Sequence, residues 1–431
     1  MEDVVLFRGF REWFLFISAC VFIFALNVFT TYLNYRDFSA KKFVDINATV
    51  ESQSIKYNKK DKRYFVLKLN SDKHGVFWTT TYENIIDLSG KEVSLVAIAE
   101  NIGFYDYFKG FYAPSFKISL MPYFFQNNNV FSDLTRNSYD RAVAFTRDQH
   151  ENEFMRELFP AMFFASPQSK ELRQNVTKYA AAHLIALSGF HLGILALLIA
   201  FIFGKIYRVS QNKFFPYRNY FYDLGIFSIL VLGFYLIFTG IVPSLLRAYA
   251  MFLFGFFLAI RNIKIISFNT LLIVTLLLIA MQPKLVFSIG FILSVSGVFY
   301  IFLYLRYFKN QSKIISAIGL SVYVFLAMLP IVHFYFPLTA HTQLFAPILT
   351  IVYAPFFIAE IALHIIGFGD VLDPFIIKAI EWNVNMWDFK VNLLWFLTYI
   401  VISIAAIFHR IFHYIFIAFF ITSACIQYIF N

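Results

Sequence analysis

The sequence predicts a polytopic α-helical membrane protein of about ten spans, with a small β-barrel domain inserted on the extracytoplasmic side. Composition is the first reason, because 59% of the 431 residues are hydrophobic and only 14% are charged. Soluble domains contain about 25% charged residues. The second reason is a series of apolar segments that are long enough to cross a bilayer. The third is a stretch of ordinary polarity, residues 37–182, that begins with strand-like alternation.

The first predicted element is a signal-anchor helix within residues 1–36. Arg8 and Arg11 precede an apolar run from Trp13 to Leu33, which is long enough to span a membrane. Residues 17–20 resemble a lipoprotein cleavage box, but the chain stays apolar beyond Cys20, so we expect the helix to remain uncleaved. The two cysteines lie in apolar runs, which leaves the polar stretch without a disulfide.

Residues 37–125 are predicted to form the β domain. Turn residues such as Ser89 and Gly90 separate segments rich in alternating apolar side chains. The strand candidates are residues 44–50, 64–69, 76–82, 92–99 and 115–121. Five short strands fit a barrel of the OB type, although an unrelated five-stranded meander would give the same pattern.

Basic residues cluster at one hairpin of this domain, and two aromatic residues follow nearby. The basic residues are Lys56, Lys59, Lys60, Lys62 and Arg63, and the aromatic ones are Trp78 and Tyr82. Such a set can track phosphates and stack on the bases of a single strand. Charge at a hairpin tip is also typical of an ordinary solvated turn, so both interpretations stay open.

Residues 126–182 are predicted to be a helical and partly amphipathic connector. Glu153–Phe164 has the pattern of a helix that rests on a membrane surface. A solvated connector would have the same pattern.

Residues 183–431 are predicted to form a multi-spanning domain with nine further spans. Their approximate bounds are 184–204, 222–242, 244–260, 265–282, 286–305, 314–336, 343–367, 391–408 and 411–430. Three alternate loops contain nine Lys and Arg residues, in 205–218, 261–264 and 306–313, and the other connections among these spans before residue 370 contain only Lys284. By the positive-inside rule the three loops are cytoplasmic, so residues 37–182 are extracytoplasmic. The orientation beyond residue 370 stays open.

The most informative stretch is His183–Gly193, which places polar residues at the start of an apolar run. His183 and His191 share one face if the helix is regular. No carboxylate or cysteine lies near them, so we expect no metal and no cofactor. Ser188 lies three residues before His191, but the stretch has neither an orienting acid nor the elbow motif of hydrolases. We therefore expect no enzyme activity and no catalytic residue. Close helix packing through Ser188 and Gly189 and substrate contact both remain possible roles.

A second candidate site lies at Pro243, Ser244 and Arg247. Proline followed by serine is typical of a helix start, where free N–H groups favour anions. Arg247, one turn later, would strengthen the binding of a phosphate. The alternative is that Arg247 extends to the outer membrane interface. Glu360 is the acid deepest inside a span, and it fits either ion gating or pairing with a basic group.

These segments resemble those of a known family. His183–Gly193 is similar to the "HLLAISGLHVG" signature of the ComEC competence proteins, and Thr239–Ala248 is similar to their "G-x-x-P-S-x-x-R-A" segment. Phe287–Ser294 lies where that family has a "D-P-G-F-Q-L-S" run. Many relatives also carry a metallo-β-lactamase-like domain with an H-x-H-x-D-H motif. This sequence has no such motif, so we expect a short form without that domain.

The resemblance implies an inner-membrane channel that takes up single-stranded DNA into the bacterial cytoplasm during natural transformation. The implied DNA path contains His183, Ser188, Gly189, His191, Pro243, Ser244 and Arg247. Implied partners are single-stranded DNA, a periplasmic or surface DNA receptor, a cytoplasmic motor, single-strand-binding proteins, the lipid bilayer and a second copy in a homo-oligomer. The sequence has no nucleotide-binding P-loop, so the driving force must come from elsewhere.

Two other functions remain open. One is a secondary transporter of a small anionic solute that uses broken helices and Glu360. The sequence shows no inverted repeat in its support. The other, weaker alternative is an intramembrane hydrolase based on Ser188 and His191.

Overall fold

A computed structural model describes residues 9–57, 62–71, 73–82, 88, 91–120, 130–261, 263, 265–382 and 384–429. Lys59, Lys60, Ser89 and Gly90 of the predicted hairpins lie outside the described residues. The chain divides into two compact units. A sheet unit comprises Phe7–Leu134 and Thr275–Ser288, and a helical unit contains Thr135–Val274 and Ile289–Asn431.

The sheet unit begins with the anchor helix, α1 (Phe10–Ser39), which is longer at both ends than the predicted apolar run. Most of its apolar side chains are exposed in the protein, as expected of a helix that contacts lipid. Asn27, a polar residue inside the run, donates its side-chain N–H to the backbone oxygen of Ala280 at 2.9 Å. This bond satisfies a polar group that would otherwise face hydrocarbon.

A six-stranded sheet follows. Its strands are β1 (Phe43–Tyr57), β2 (Arg63–Ser71), β3 (Gly75–Thr81), β4 (Glu92–Ile98), β5 (Phe111–Tyr112) and β6 (Ser115–Leu120), with the helix α2 (Phe104–Lys109) between β4 and β5. The strand order is β5-β3-β2-β1-β4-β6, antiparallel except for β3 with β5. All five predicted strand segments fall within strands, to within one residue, and β5 was not predicted.

The sheet buries one face, as the alternation in sequence requires. Val93, Leu95 and Ala97 of β4 point into the core, where Phe38 from the end of α1 and Tyr107 from α2 join them. Among the described residues, no backbone pairing joins the outermost strands β5 and β6. A hydrogen bond of 2.6 Å between the hydroxyls of Thr79 on β3 and Ser115 on β6 links the two sides of the sheet instead.

His74, in the turn between β2 and β3, gives the sheet unit a predicted pH dependence. Its ring is buried, and its Nδ1 lies 2.8 Å from the Tyr107 hydroxyl. Burial, together with the charges of Lys73 and Lys284, lowers the pKa of His74 to about 4. The unfolded chain therefore binds a proton near pH 6.5, before the folded one does.

We expect the stabilisation from neutral His74 to be complete above pH 6.5 and to be lost as the pH falls toward 4. The loss amounts to about 2 to 3 kcal/mol of the free energy of unfolding. Pulse proteolysis in urea at pH 7 and at pH 4.5 measures this loss, with the proteolytic fragments of the sheet unit as the readout. His74→Gln should remove this part of the pH dependence. An unchanged pH dependence in that variant would show that other groups are responsible.

Beyond the sheet, the chain forms short helices first and long apolar ones after them. The short ones are α3 (Val130–Arg147), α4 (Glu153–Phe164), α5 (Lys170–Lys178) and α6 (Ala182–Ile185). The following helices are α7 (Gly189–Phe214), α8 (Tyr220–Phe238), α9 (Pro243–Ile260), α10 (Phe268–Met281), α11 (Ile289–Tyr307), α12 (Lys313–Tyr335), α13 (Ala346–Ile366), α14 (Asp373–Ile380), α15 (Leu393–Ala405) and α16 (Arg410–Ile429). Two three-residue strands, β7 (Leu338–Ala340) and β8 (Met386–Asp388), form a second, antiparallel sheet.

Within the described part of the chain, seven helices are long and apolar enough to cross a membrane. They are α1, α7, α8, α11, α12, α16 and the segment His341–Ile366 that contains α13. Three shorter apolar helices, in α9, α10 and α15, lie where further spans were predicted. The protein is therefore a multi-pass helical membrane protein.

Buried aromatic side chains pack α11, α12, α15 and α16 against one another. Tyr300 on α11, Tyr323 on α12, Tyr399 on α15 and Phe416 on α16 belong to one cluster. The Tyr399 hydroxyl donates to the backbone oxygen of Ala327 at 2.7 Å. Each hydroxyl or ring nitrogen buried here requires a partner, because an unpaired polar group in an apolar interior is costly.

Candidate functional site

The stretch His183–Gly193 is not one regular helix. His183 belongs to the short helix α6, and the chain becomes extended from Ala186 until Ser188 caps α7. The Ser188 hydroxyl accepts a hydrogen bond from the Phe190 N–H at 3.3 Å. A serine hydroxyl at this position accepts from a backbone N–H that has no carbonyl partner within the helix. The predicted span that begins at residue 184 was therefore wrong by five residues, and His183 and His191 do not share a helix face.

The two histidines have different surroundings. His183 is exposed, and its Nδ1 donates to the backbone oxygen of Ala180 at 2.9 Å. Its Nε2 lies 3.3 Å from the Thr350 hydroxyl on α13. His191, by contrast, is fully buried.

His191 connects Ser188 to Tyr353. The Ser188 hydroxyl lies 3.3 Å from Nδ1, and the Tyr353 hydroxyl lies 2.6 Å from Nε2. Phe357 packs edge-on against the imidazole, with ring centres 5.1 Å apart. Both ring nitrogens of a histidine can be satisfied in this way. The partner opposite the serine is a phenol, whereas an acyl-transfer triad places a carboxylate there to orient the base.

The second candidate segment begins the helix α9, as predicted. Pro243 is the first helical residue, and Gly240 and Ile241 have positive φ angles of 79° and 55° that turn the chain into it. No side chain caps this helix, so its first N–H groups have no partner within the helix. Arg247 follows in the next turn and is half-buried. Among the described residues it has no ion-pair or hydrogen-bond partner.

The fold brings the starts of α7 and α9 together. A Cβ on Gly189 would lie 3.6 Å from the Cβ of Ala248, which is an ordinary van der Waals contact. Leu187, Leu192 and Leu245 share one buried cluster around this point. An alanine at position 189 would therefore fit here, and the packing role considered for Gly189 remains a prediction.

Two residues of this site were not expected from the sequence. Tyr353 and Thr350 lie on α13, and Tyr353 is 162 residues away from its partner His191. The run 343–367 was recognised only as a span, so nothing in the pattern indicated that its tyrosine pairs with a histidine. Glu360, the residue singled out there, contacts His364 instead, with 3.3 Å between its Oε2 and Nδ1.

The sheet unit has a groove of its own between β3 and β6. Its volume is about 350 Å³, and Thr80, Tyr82, Ser115 and Phe116 are among its lining residues. Of the other residues considered for nucleic-acid contact, Arg63 packs its guanidinium over Phe65, 4.7 Å from the ring centre. Trp78 is about one-third exposed, at 37%.

The described residues contain no group of three or more His, Cys, Asp or Glu side chains arranged to hold a metal ion. Within this part of the chain, neither His183 nor His191 is joined to a carboxylate. The roles assigned to the seven candidate residues remain predictions.

Comparison with known proteins gives one match. The family model described as "Competence protein" matches residues 165–429, which is more than half of the chain. The match contains both segments that meet at the starts of α7 and α9. No curated protein and no solved structure matches the chain. By its sequence from residue 165 to residue 429, this chain belongs to the competence protein (ComEC) family.

Proposed function

We propose that this protein is a channel in the bacterial inner membrane that admits single-stranded DNA during natural transformation. The family supports a role in competence and DNA uptake in general. The observation that carries the more specific proposal is the meeting of α7 and α9 at Gly189 and Ala248, next to Arg247, which has no polar partner in the described part of the chain. An arginine and free helix N–H groups are the donors that bind phosphate oxygens.

The path would contain His183, Ser188, Gly189, His191, Pro243, Ser244 and Arg247. Their contributions differ in kind. Arg247 would bind a passing strand directly, and the exposed His183 ring would do so in exchange for its contact with Thr350. The buried His191 acts as a positioning residue, because its contacts with Ser188 and Tyr353 hold the broken entrance of α7 against α13.

The proposed orientation has residues 37–182 outside the cytoplasm. It rests on the nine basic residues in the three loops, although Arg218 in one of them pairs with Asp223 at 2.6 Å and Lys264 lies outside the described residues. Pairing of β7 with β8 brings residues 338–340 next to 386–388. Residues 341–385 therefore begin and end at the same side of the membrane. Helix α14, with eight residues, is too short to cross the membrane. This supports a topology in which α13 enters the membrane from the outside and does not cross it. The chain would then cross the membrane nine times and not ten.

We also propose that the sheet is a partly open barrel of the OB type that receives DNA. The strand order β3-β2-β1-β4-β6 and the Thr79–Ser115 hydrogen bond between β3 and β6 support it. The groove beside this bond contains the exposed ring of Tyr82, on which a base can stack.

The chain is proposed to have no enzyme activity and to need no cofactor. An external receptor would deliver DNA, and a cytoplasmic motor with single-strand-binding proteins would pull it, with a homo-oligomer as one possible assembly. A hydrolase based on Ser188 would require His191 to act as a general base that is oriented by the Tyr353 phenol and not by a carboxylate. Labelling by a serine-directed probe that Ser188→Ala abolishes would favour that alternative.

Uptake of labelled DNA in a deletion strain tests the proposed function. We expect DNA that is protected from external nuclease but stays outside the inner membrane, because the preceding steps do not need this channel. Complementation with the intact gene should restore cytoplasmic label. A deletion strain that imports DNA as its parent does would contradict the proposal. Loss of import of a small anionic solute instead would favour the transporter.

A further inference from the structure

We propose that His150 and His364 form a proton-transfer chain between Asp373, a buried residue at the start of α14, and the buried carboxyl group of Glu360. The ligand is a proton. This function is separate from DNA passage, and its test uses no DNA.

Hydrogen bonds join the side chains of Asp373, His150 and His364, and His364 lies within ion-pair distance of the Glu360 carboxylate. Asp373 Oδ2 lies 2.8 Å from His150 Nδ1, and His150 Nε2 lies 3.0 Å from His364 Nε2. His364 Nδ1 lies 2.8 Å from the backbone oxygen of Glu360 and 3.3 Å from its Oε2. Residues from the connector after α3, from α13 and from α14 thus form a continuous line.

The backbone oxygen of Glu360 sets the direction of the line when both histidines are neutral. A carbonyl oxygen only accepts, so His364 Nδ1 must carry the proton of that bond. Nε2 of His364 is then bare and accepts from the Nε2–H of His150. This leaves His150 Nδ1 without a hydrogen, facing Asp373, and one proton is shared between these two groups.

Transfer of that proton needs no other reactant. The Asp373 oxygen releases a proton to His150 Nδ1, and the Nε2–H of His150 passes to His364 Nε2. The Glu360 carboxylate, whose Oε2 lies 3.3 Å from Nδ1, then rotates into line with the Nδ1–H of His364 and accepts this proton. Asp373 ends as a carboxylate, Glu360 as a carboxylic acid, and both histidines remain neutral, so the charge is conserved. Both histidines end as the opposite tautomers, and the original tautomers must return before a second transfer, because His364 Nδ1 otherwise faces a carbonyl oxygen without a proton.

Burial separates this line from an ordinary surface ion pair. The Glu360 side chain is completely buried, and within the described residues neither of its carboxylate oxygens has a hydrogen-bond partner. Both oxygens are therefore available to take a proton. His150 is buried as well and stacks on Phe159, with ring centres 4.5 Å apart.

Two further residues hold the line in place. Gln149 donates to the backbone oxygen of His364 at 3.1 Å and accepts from the Gly369 N–H at 2.9 Å. A Cβ on Gly369 would lie 2.7 Å from His364 Nε2, so only glycine leaves room for the ring.

Few charged groups surround Asp373, the end of this line opposite Glu360. Asp370, which is exposed, is the other acid near Asp373, and His150 and His364 are the basic groups there. Burial raises the pKa of Asp373, which suits a group that both takes up and releases a proton.

Infrared spectroscopy of the full-length protein in lipid nanodiscs tests the proposal. The band of the protonated Glu360 carboxyl group is assigned by its loss in Glu360→Gln, and its rate of exchange in D₂O is then measured. We expect Asp373→Asn and His150→Gln to slow this exchange at least 10-fold, since amides keep hydrogen bonds but do not relay protons. His413→Gln is the matched control, because His413 is also buried and stacks on Tyr307 at 3.9 Å.

The proposal is overturned if the exchange rate is the same in wild type, Asp373→Asn and His150→Gln. It is also overturned if Glu360→Gln removes no carboxyl band. Thermal unfolding of each variant identifies any that do not fold. Should His150→Gln be among them, Asp373→Asn decides, because it changes the size of the side chain least.

Discussion

Replacing Arg247 with alanine is expected to lower the frequency of transformation by about 10- to 100-fold, with the amount of protein in the membrane unchanged. This factor corresponds to the roughly 1.5 to 3 kcal/mol that a hydrogen bond to a charged group contributes. Arg247 is half-buried and has no hydrogen-bond or ion-pair partner among the described residues, so its removal breaks no polar contact there. The expected loss therefore falls on the passage of DNA. The amount of labelled DNA in the cytoplasm per cell and the number of transformants measure this loss.

Two further substitutions sharpen this prediction. Arg261→Ala removes an exposed arginine at the other end of α9, which packs over Phe257 at 5.7 Å, and should leave uptake within about twofold of wild type. Arg247→Lys should restore only part of the activity, because an ammonium group lacks the forked geometry that matches a phosphate. Normal uptake with Arg247→Ala would mean that Arg247 merely extends to the membrane interface.

His191→Ala is expected to lower the free energy of unfolding by about 3 kcal/mol. The change leaves a cavity beside Phe357 and removes the group that faces the Tyr353 hydroxyl. A buried hydroxyl without a partner is costly. Thermal unfolding in detergent measures the change, and a parallel fall in transformation is expected because the entrance of α7 loses its contact with α13.

His183→Ala is the matched control, since it removes an exposed histidine of the same segment. Its cost should stay below about 1 kcal/mol. Tyr353→Phe should cost about 1 to 3 kcal/mol, and together with His191→Ala it should cost less than the two separate values added. Full additivity would show that the 2.6 Å contact between these residues contributes nothing to stability.

Much of the architecture follows from patterns that act over short distances. Every predicted span contains a helix, because an apolar run in a membrane must satisfy its own backbone. The alternation in residues 92–99 correctly indicated β4, with Val93, Leu95 and Ala97 buried. Pro243 likewise indicated the start of α9, since its missing N–H suits the first turn of a helix.

The site depends on contacts between residues that are far apart in the chain. The stretch from His183 to Gly193 is mostly apolar, but its helix is interrupted at residues 186–188, where Ser188 caps α7. This interruption separates His183 from His191. His191 pairs with Tyr353, which is 162 residues away, and His150 pairs with Asp373, which is 223 residues away. Neither residue type nor spacing distinguishes these pairs from the many tyrosines and acids of the chain.

Composition and periodicity were sufficient for the membrane class, the positions of the helices and the small sheet, because burial and backbone hydrogen bonding act on every residue in the same way. They also placed Arg247 just inside a helix. The packing of α7 against α9 and α13 decided which polar groups acquire partners and which remain free. That outcome depends on a few distances in an apolar interior, where one hydroxyl or carboxyl oxygen displaced by an ångström gains or loses its hydrogen bond.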